Sequence, residues 1–414
     1  LDPAHVGVGP DIAVDVEGDA IQGQAAAFGL QHQLEVLLAH HPLGDDLEHP
    51  VEQRLGEMLA PGPGMAQGLG QLQVELLGPQ LAIGQQAAGQ VILAQLATHF
   101  GIEGRGESVW LGWLLAATLE RFKAQADKRG ERERSARWSD HVAKLKTALE
   151  TTGWDGDHYR RGYFDDGSPL GSNESLQCQI DSIAQSWSVL SGLGDPAHTA
   201  KALDSAVSKL VDTETGIVRL FTPAFEKPEV DPGYIGAYPP GVRENGGQYT
   251  HAAIWLGLSL VKAGRLADAW RVFELLNPIN HARTPEEAEQ YRVEPYVVAA
   301  DIYGGSGYAG RGGWTWYTGS AGWLYRFAVE GFLGIRRKGS DLVVTPALPE
   351  HWQGFKAKVE IDGRKVAVAV TRKAGGYDVT LDGKAQEIGQ DRPEPPAPPP
   401  AKKPARKPKA KAAE

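Results

Sequence analysis

The chain has 414 residues and a formal net charge of -10, from 42 Lys and Arg against 52 Asp and Glu. This length can supply roughly two or three domains with sizeable cores. The acidic balance excludes a general attraction to nucleic acid or to anionic membranes. The single cysteine, Cys178, excludes an internal disulfide and fits a reducing compartment. No apolar run approaches membrane-spanning length and no signal-peptide pattern opens the chain, so we expect a cytoplasmic protein without membrane contact.

Residues 1–98 use a different set of amino acids from the rest of the chain. They contain no Lys, Ser, Asn, Tyr, Trp or Cys, and their only Arg and Thr are Arg54 and Thr98. Residue usage changes abruptly near Gly101. We therefore hypothesise that this segment is translated from a wrong frame or strand, or belongs to a damaged gene. A genuine low-complexity helical segment is the alternative, and an intact reading frame through residue 98 would favour it.

From Gly101 onwards, the spacing of apolar residues predicts helices joined by long polar loops. In residues 109–128, Trp113 and Leu119 belong to a wide apolar face. Similar patterns predict helices at residues 135–150, 179–191, 196–211, 266–276, 285–291 and 320–332, and one that starts near His251. We expect no strand between these helices. Antiparallel helix pairs with their loops at one end suit an α/α toroid.

Strand patterns take over towards the C-terminus. Residues 341–345, 356–361, 365–371 and 377–381 alternate or are rich in β-branched side chains, with glycine turns between them. These runs predict a small antiparallel β domain packed behind the helices. The tail from Asp391 is rich in proline and then in lysine and alanine, which predicts disorder. A weak anion-binding arm is the alternative for this basic tail.

The candidate site centres on a polar loop at residues 240–251, which leads directly into the apolar run at 252–260. Its polar side chains follow one another closely: Arg243, Glu244, Asn245, Gln248, Tyr249, Thr250 and His251. A helix start with Thr250 as N-cap, after a turn at Gly246-Gly247, explains only part of this loop. It does not explain an Arg, a Glu, an amide and a His beside a Trp. We therefore interpret the loop as a binding or catalytic site.

Two further loops carry similar chemistry. One combines residues 163–174 (YFDDGSPLGSNE) with 181–187, and the other combines residues 294–297 (EPYV) with 304–323 (GGSGYAGRGGWTWYTGSAGW). Together with the 240–251 loop, they strongly resemble the glycoside phosphorylase family of cellobiose and chitobiose phosphorylases, glycoside hydrolase family ninety-four. The phrase GVRENGGQYTHAAIW is most similar to the C-terminal region of cyclic β-1,2-glucan synthases. The resemblance runs from Gly101 to about Leu381.

The resemblance implies the fold. Residues 99–336 correspond to the C-terminal part of an (α/α)6 barrel, and residues 337–388 to a small antiparallel, jelly-roll-like β domain. The prediction is therefore a mostly α protein in four parts, which are completed by the atypical segment at 1–98 and the disordered Pro/Lys/Ala tail at 389–414. The family's N-terminal β-sandwich and first half of the barrel are not recognisable in residues 1–98.

The resemblance also implies inverting phosphorolysis, in which inorganic phosphate attacks the anomeric carbon while an Asp protonates the leaving sugar. An inverting hydrolase needs an acid and a base. Because phosphate is already an anionic nucleophile, a cradle of cations, hydroxyls and backbone N–H groups can replace the base. His251 and the turn Thr318-Gly319-Ser320 match the family's phosphate-binding positions, at a helix start that favours anions. A plain N-cap at the turn and a core histidine at 251 are the alternatives.

Sugar contacts are implied for a second set of residues. Glu244 matches a family glutamate that binds sugar hydroxyls, although a surface salt bridge with Arg243 would also explain it. Arg243 and Arg311 can each bind phosphate or sugar, and the sequence does not choose between these roles. Gln185 and Trp187 resemble cleft-facing helix residues of the family, although a Trp at helical spacing is more often a core residue. The predicted sugar-binding set is Glu244, Gln185, Trp314 and Trp316.

No metal or organic cofactor is predicted, and inorganic phosphate is the expected co-substrate. Asp165 and Asp166 resemble a metal-ligand pair, but no His or further carboxylate has metal-ligand spacing. We therefore interpret them as structural. The expected partners are a β-linked glucoside or glucan and phosphate. The family tends to form dimers, which leaves a homodimer open.

The family's general acid has no counterpart in this sequence. It is the Asp of a Trp-Asn-Asp motif, which lies just before the segment that begins here at Gly101. That place reads LATHF, and the motif occurs nowhere in the chain. We therefore assign no catalytic residue and expect weak activity or none.

The leading interpretation is a carbohydrate-active enzyme of the glycoside phosphorylase type, or the phosphorylase-like domain of a cyclic β-1,2-glucan synthase. One alternative is a carbohydrate-binding remnant that performs no chemistry. The other is an inverting glycoside hydrolase with Glu244 as acid or base.

Overall fold

The computed structural model describes residues 6–8, 12–17 and 105–386. This part of the chain is mostly helical with small antiparallel sheets, which confirms the fold class at that level. The predicted disordered tail and most of the atypical segment lie outside the described residues. None of the helices within residues 105–386 is both long and apolar enough to cross a membrane.

The helices follow the predicted order closely. Three predictions, residues 109–128, 266–276 and 285–291, match at both ends, and the others agree to within three residues when the π-helical continuation of the last one is included. The observed helices are α1 Val109–Lys128, α2 Arg132–Thr151, α3 Ser182–Leu190, α4 Pro196–Leu210, α5 Thr250–Lys262, α6 Leu266–Leu276, α7 Pro285–Tyr291 and α8 Thr318–Arg326. A π-helical segment, Phe327–Phe332, continues α8.

Side-chain caps fix several helix starts. Asp181 accepts hydrogen bonds from the backbone N–H groups of Ile183 (2.8 Å) and Ala184 (3.3 Å), so α3 starts later than the apolar pattern predicts. Asp195 caps α4 ahead of a proline in its first turn. Thr284 forms a capping box with Glu287 at the start of α7.

The expectation of no strand between the helices is wrong. Two-residue strands pair the loops with one another, and they are too short to give the alternating pattern by which a strand is recognised in a sequence. They are β3 Glu107–Ser108, β4 Gly162–Tyr163, β5 Pro169–Leu170, β6 Ile180–Asp181, β7 Val211–Asp212, β8 Ile217–Val218, β9 Phe221–Thr222, β10 Gln248–Tyr249 and β11 Asp301–Ile302.

The predicted strand at residues 341–345 lies in a hairpin, and a larger antiparallel sheet at the C-terminal end confirms the other three predicted strands. Its strands are β14 Gly354–Ile361, β15 Arg364–Lys373, β16 Gly376–Leu381 and β17 Lys384–Ala385, next to a separate hairpin of β12 Ile335–Lys338 and β13 Asp341–Val344. Two further strands, β1 Val6–Val8 and β2 Ile12–Glu17, extend it in the order β1-β2-β14-β15-β16-β17. Ile12 lies opposite Ile361. The sheet therefore includes two strands from residues 1–98, the segment with atypical amino-acid usage.

Two buried clusters hold the described part together. The larger packs α3, α4, α5, α6 and α8 around residues such as Ile254, Leu256 and Phe327. The second joins the sheet to the end of α8, where Tyr325 and Val329 pack in one cluster with Val359 of β14. The β region therefore lies against the last helices, as the sequence predicted.

Gly257 provides a test of the helical core. A Cβ added there would lie 2.3 Å from Cζ of Phe327, closer than van der Waals contact allows. We expect Gly257→Ala to destabilise the fold by roughly 1–2 kcal/mol, because overpacking outweighs the gain in helix propensity. Urea unfolding measures this free energy.

Gly376→Ala is the matched control, since a Cβ there would have no atom within 4 Å. It should change stability by less than about 0.5 kcal/mol. Equal stability of the two variants would contradict the packing of α5 against Phe327.

Candidate functional site

Backbone hydrogen bonds bring two of the three predicted loops together at the start of α5. Tyr249 pairs with Asp301 across β10 and β11. The Thr250 N–H donates to the Ala300 carbonyl (3.0 Å), and the Ala300 N–H donates to the Trp314 carbonyl (2.6 Å). Segments 240–251, 294–302 and 312–320 therefore meet at one place.

Several polar residues of the 240–251 loop hold its shape. The buried Asn245 side chain accepts from the Phe225 N–H (2.7 Å) and donates to the Phe225 and Tyr238 carbonyls, each at 2.8 Å. Gly246 has a φ of 78°, which confirms the predicted turn. The alternative in which Thr250 acts as a plain N-cap does not hold, because α5 begins at Thr250 and its N-cap is Tyr249, without a side-chain bond.

A mostly buried charged group lies beside this turn. The Arg243 guanidinium is 3.4 Å from a Glu244 carboxylate oxygen and 4.0 Å from Oδ1 of Asp301. It also lies 4.3 Å from the centre of the Trp314 ring, within cation–π range. Glu244 and Arg243 do form the salt bridge considered above, but their side chains are only 15% and 13% exposed, so it is not a surface pair.

This group contains more acidic than basic side chains. One guanidinium faces two carboxyl groups, of Glu244 and Asp301. Burial lowers the pKa of Arg243, but both carboxylates oppose this, and the net shift is upward. Burial raises the pKa of Asp301, although the Trp314 N–H and Arg243 partly offset it. Since its cation is already compensated, this group is better suited to sugar hydroxyls than to an anion.

Unsatisfied buried atoms mark the same place. Nη1 of Arg243, Oδ2 of Asp301, Oγ1 of Thr250 and Nε2 of His251 are buried without a hydrogen-bond partner within the described chain. Such an atom costs about 1–3 kcal/mol, so a group of them calls for a functional explanation. Arg243 also has a φ of 49°, an uncommon conformation for a residue other than glycine.

His251 lies in the first turn of α5 among aromatic rings. Its imidazole is 4.5 Å from the Trp255 ring and 5.7 Å from the Trp323 ring, measured between centroids. Burial lowers the pKa of His251 to about 4, from an ordinary 6.5, so the imidazole is neutral at pH 7. A neutral imidazole can still donate one N–H, and an anion beside it would favour the protonated form.

The turn Thr318-Gly319-Ser320 forms the start of α8, the helix that carries Trp323. Its N-cap is Tyr317, and no side chain caps the helix. A Cβ added to Gly319 would meet no atom within 4 Å, so there is open space beside this residue. Trp323 lies on this helix and its ring centre is 5.7 Å from that of His251, so the imidazole packs beside the helix that the turn begins. A plain N-cap at Thr318 is not what the structure shows, since Thr318 is the first helical residue.

Two predicted residues are placed differently. Gln185 is fully buried: its amide donates to the carbonyls of Tyr159 and Asp181, and its oxygen accepts from the Tyr159 N–H. This placement gives no support to its predicted sugar contact. Arg311 is exposed on the glycine-rich loop, and within the described chain no contact joins it to Arg243 or to His251.

The carboxylates of Asp165 and Asp166 serve the loop itself. Oδ1 of Asp165 accepts from the backbone N–H groups of Arg105 (2.7 Å) and Gly106 (2.8 Å). Oδ1 of Asp166 accepts from the N–H and hydroxyl of Ser168. These bonds confirm the structural interpretation. Among the described residues, no cluster of three or more His, Cys, Asp or Glu could hold a metal ion.

Asp301 and Glu294 belong to the site but are missing from the sequence-based set. Asp301 is 1% exposed and accepts from the Trp314 N–H (3.1 Å). Glu294 accepts a hydrogen bond from the indole N–H of Trp316 (3.1 Å). Asp301 ends the apolar run at 297–300, directly before the glycine-rich loop. A charged residue at such a position could have indicated a site residue from the sequence.

Comparison with known proteins agrees with this arrangement. Residues 81–334 match the family described as the glycosyl hydrolase 94 superfamily, catalytic domain, a match that begins inside the segment set apart as atypical. The chain is 58% identical over 272 residues to the cyclic beta-(1,2)-glucan synthase NdvB of Rhizobium meliloti. It is 31% identical over 277 residues to cellobionic acid phosphorylase of Neurospora crassa, and 29% over 276 residues to N,N'-diacetylchitobiose phosphorylase of Vibrio furnissii.

Each of these matches takes in 66% of this chain. The chain spans 10% of the length of the first relative and 34% of each of the other two.

The lowered pKa of His251 predicts how stability depends on pH. An unfolded chain binds a proton here near pH 6.5, whereas the folded chain resists protonation down to about pH 4. Stability should therefore fall as the pH drops from 6.5 towards 4, by roughly 1–3 kcal/mol from this group. Bound phosphate should reduce the loss, since an anion stabilises imidazolium. Thermal unfolding with and without phosphate measures both effects.

His251→Gln should remove the phosphate-sensitive part of this slope. His281→Gln is the matched control, because burial also lowers the pKa of His281 but its Nε2 is bonded to the Leu275 carbonyl (2.7 Å). Its contribution should not respond to phosphate. If phosphate does not change the pH dependence of stability in any variant, His251 does not contribute to anion binding.

Proposed function

Because the chain belongs to the glycosyl hydrolase 94 superfamily, a family of enzymes, we propose that its site serves inverting phosphorolysis of β-linked glucosides. The same site would serve as the phosphorylase-like region of a cyclic β-1,2-glucan synthase. The observation that carries the proposal is the position of His251 against α8, the helix that starts with Thr318-Gly319-Ser320.

The anion side of the site supports phosphate as the co-substrate. An uncapped helix start presents free N–H groups and the positive end of the helix dipole. Open space lies beside Gly319, and the unpaired Nε2 of His251 supplies a further donor. Ser320 is held at the turn, where its hydroxyl is 3.4 Å from the Tyr317 carbonyl. These groups form the cradle, and Arg243 is assigned to the sugar side.

The sugar side supports a glucoside as the other substrate. Carboxylates of Glu244 and Asp301 accept hydrogen bonds from hydroxyls, and Arg243 donates them. The exposed Trp314 ring offers an apolar face on which the C–H groups of a pyranose can stack. The paired strands β10 and β11 hold both sides of the site in a fixed relation.

The chemistry then balances without a general base. A phosphate oxygen forms a bond to the anomeric carbon as the glycosidic C–O bond breaks, which inverts that carbon and gives a sugar 1-phosphate. The leaving oxygen takes a proton from a general acid. The Trp-Asn-Asp motif that would supply it is absent from this sequence, and this favours a second candidate, sugar binding without turnover.

The proposed architecture follows from the same kinship. Residues 99–336 would form part of an (α/α)6 barrel, and residues 337–388 the β domain. The succession of helices from α1 to α8, followed by strands β12 to β17, supports this division.

Removal of the imidazole tests the phosphate site. His251→Ala should weaken phosphate binding about ten- to hundredfold, the effect of losing one charge-assisted hydrogen bond. Isothermal titration with inorganic phosphate measures it. His351→Ala is the control, because it removes an exposed imidazole that packs on Trp270. Unchanged phosphate affinity in His251→Ala would remove this residue from the site.

A phosphate-dependence assay on a β-glucoside separates the candidate functions. Sugar 1-phosphate release supports phosphorolysis, and sugar binding without turnover supports the second candidate. Turnover in phosphate-free buffer would contradict both and favour hydrolysis with Glu244 as acid or base.

A further inference from the structure

The outer edge of β14 accepts a strand from the other end of the chain. All residues of β2, Ile12–Glu17, pair with residues 356–361 of β14 in an antiparallel register. On its other side β14 pairs with β15. Among the described elements, β2 pairs only with β14 and with β1, the other strand of its hairpin. The contact is therefore one strand added to a sheet edge, the geometry by which extended segments dock on sheets.

One face of this register is apolar. Its three opposite pairs are Ile12–Ile361, Val14–Val359 and Val16–Ala357. The three residues of β14 in these pairs are at most 4% exposed. Directly opposite residues of an antiparallel pair share a face, so the apolar residues of β2 take the buried face of the sheet. A shift of one residue would move all of them to the other face, which fixes the register.

The other face of the register has matched charges. Asp15 lies opposite Lys358, and Glu17 lies opposite Lys356. Both lysines are exposed. Opposite charges at directly opposite positions stabilise an antiparallel pair, and like charges there destabilise it. The strand therefore meets two independent conditions, apolar residues over the buried face and acidic residues opposite both lysines. Translation from a wrong frame gives no reason for such a match.

Without β2, the edge of β14 would be long and open. The strand has eight residues, and an uncovered edge presents backbone N–H and C=O groups with which another chain can pair. A second β14 in an antiparallel register centred on Lys358 would set Lys356 opposite Glu360 and Phe355 opposite Ile361. Only the two Lys358 residues at the centre would oppose it. Two copies of the chain can therefore associate through an uncovered β14.

We propose that residues 6–17 are a built-in cap of the sheet, in which β2 docks on β14 through the matched register and keeps this edge from pairing with a second copy of the chain. The occupant of the edge is the chain's own β2. The proposal requires residues 6–17 to be a genuine part of the fold, although their amino-acid usage is atypical. It does not depend on the proposed function, since no residue of the carbohydrate site takes part.

A cross-link in the full chain identifies the occupant. Asp15→Cys and Lys358→Cys are combined, because directly opposite residues lie about 4.5–5.5 Å apart between Cα atoms, within the range of a disulfide. The native Cys178 is buried and is kept. Oxidised glutathione should produce a disulfide within one chain, seen as a monomer on a non-reducing gel and as a linked peptide pair by mass spectrometry. Asp15→Cys with Lys384→Cys, on β17 at the far side of the sheet, is the control and should not cross-link.

Two results of this experiment would overturn the proposal. A covalent dimer of the Asp15→Cys, Lys358→Cys chain would assign the edge of β14 to a second copy. Failure to form any disulfide would remove β2 from this edge.

Charge reversal tests the matched register and the cap together. Asp15→Lys with Glu17→Lys sets like charges opposite Lys358 and Lys356, so β2 should leave the edge. Amide hydrogen exchange at the uncovered positions of β14 should then become faster by about tenfold or more. The chain should also sediment as a larger species whose mass rises with concentration. Adding Lys356→Glu and Lys358→Glu restores opposite charges, and it should restore the slow exchange and the original mass.

The matched control adds Lys144→Glu and Lys146→Glu to the reversed β2 instead. These exposed lysines of α2 give the same net charge away from β14, so neither signal should recover. Recovery in this control would show an effect of net charge alone and overturn the proposal. So would a reversed chain whose exchange and mass equal those of the unmodified chain. Faster exchange without a larger species would show that β2 covers the edge without preventing association, and the role as a cap would be wrong.

Discussion

The site depends on the pairing of two short strands, β10 and β11. Tyr249 lies opposite Asp301, and the Thr250 N–H bonds to the Ala300 carbonyl. Through this one contact the loop before α5 and the segments before α8 become neighbours, although about 50 residues separate them in the chain. Without it, Arg243 and Asp301 would not face each other, and His251 would not lie beside α8. Two-residue strands are weak by themselves, so the buried cluster around α5, α6 and α8 must stabilise the pairing.

The site also divides into two regions of different charge. Around Arg243, two carboxyl groups face one guanidinium, which suits neutral hydroxyl groups. Around the start of α8, uncapped backbone N–H groups and a neutral imidazole supply hydrogen-bond donors, which suits an anion. A glycoside and phosphate have these two chemistries, and the proposed reaction joins them at one carbon. The cytoplasmic location, the homodimer, the lack of a cofactor and the assignment of individual site residues remain predictions.

The sequence predicted the helices and the C-terminal strands because their apolar spacing is periodic over many residues. It also grouped the 240–251 loop with the 294–323 segment, through motifs that resemble a known family. It did not predict β10 and β11, because two residues cannot show a period. Nor could it show that the Gln185 side chain hydrogen-bonds to the backbone of Tyr159, or that Asp301 faces Arg243. These contacts depend on which loops touch in the folded chain, and the spacing of residues along the sequence does not show this. The alternative of Thr250 as N-cap differs from the structure by one residue, since β10 runs directly into the helix.

The central claim is that His251 and the start of α8 bind one and the same phosphate ion. The most direct measurement is an NMR titration of the isotope-labelled chain with inorganic phosphate, following the Gly319 amide and the His251 imidazole together. The account predicts that both signals shift with the same dissociation constant, as the imidazole gains proton character. If only one of them responds, or if they respond with different constants, the two groups do not share an anion and the account is contradicted.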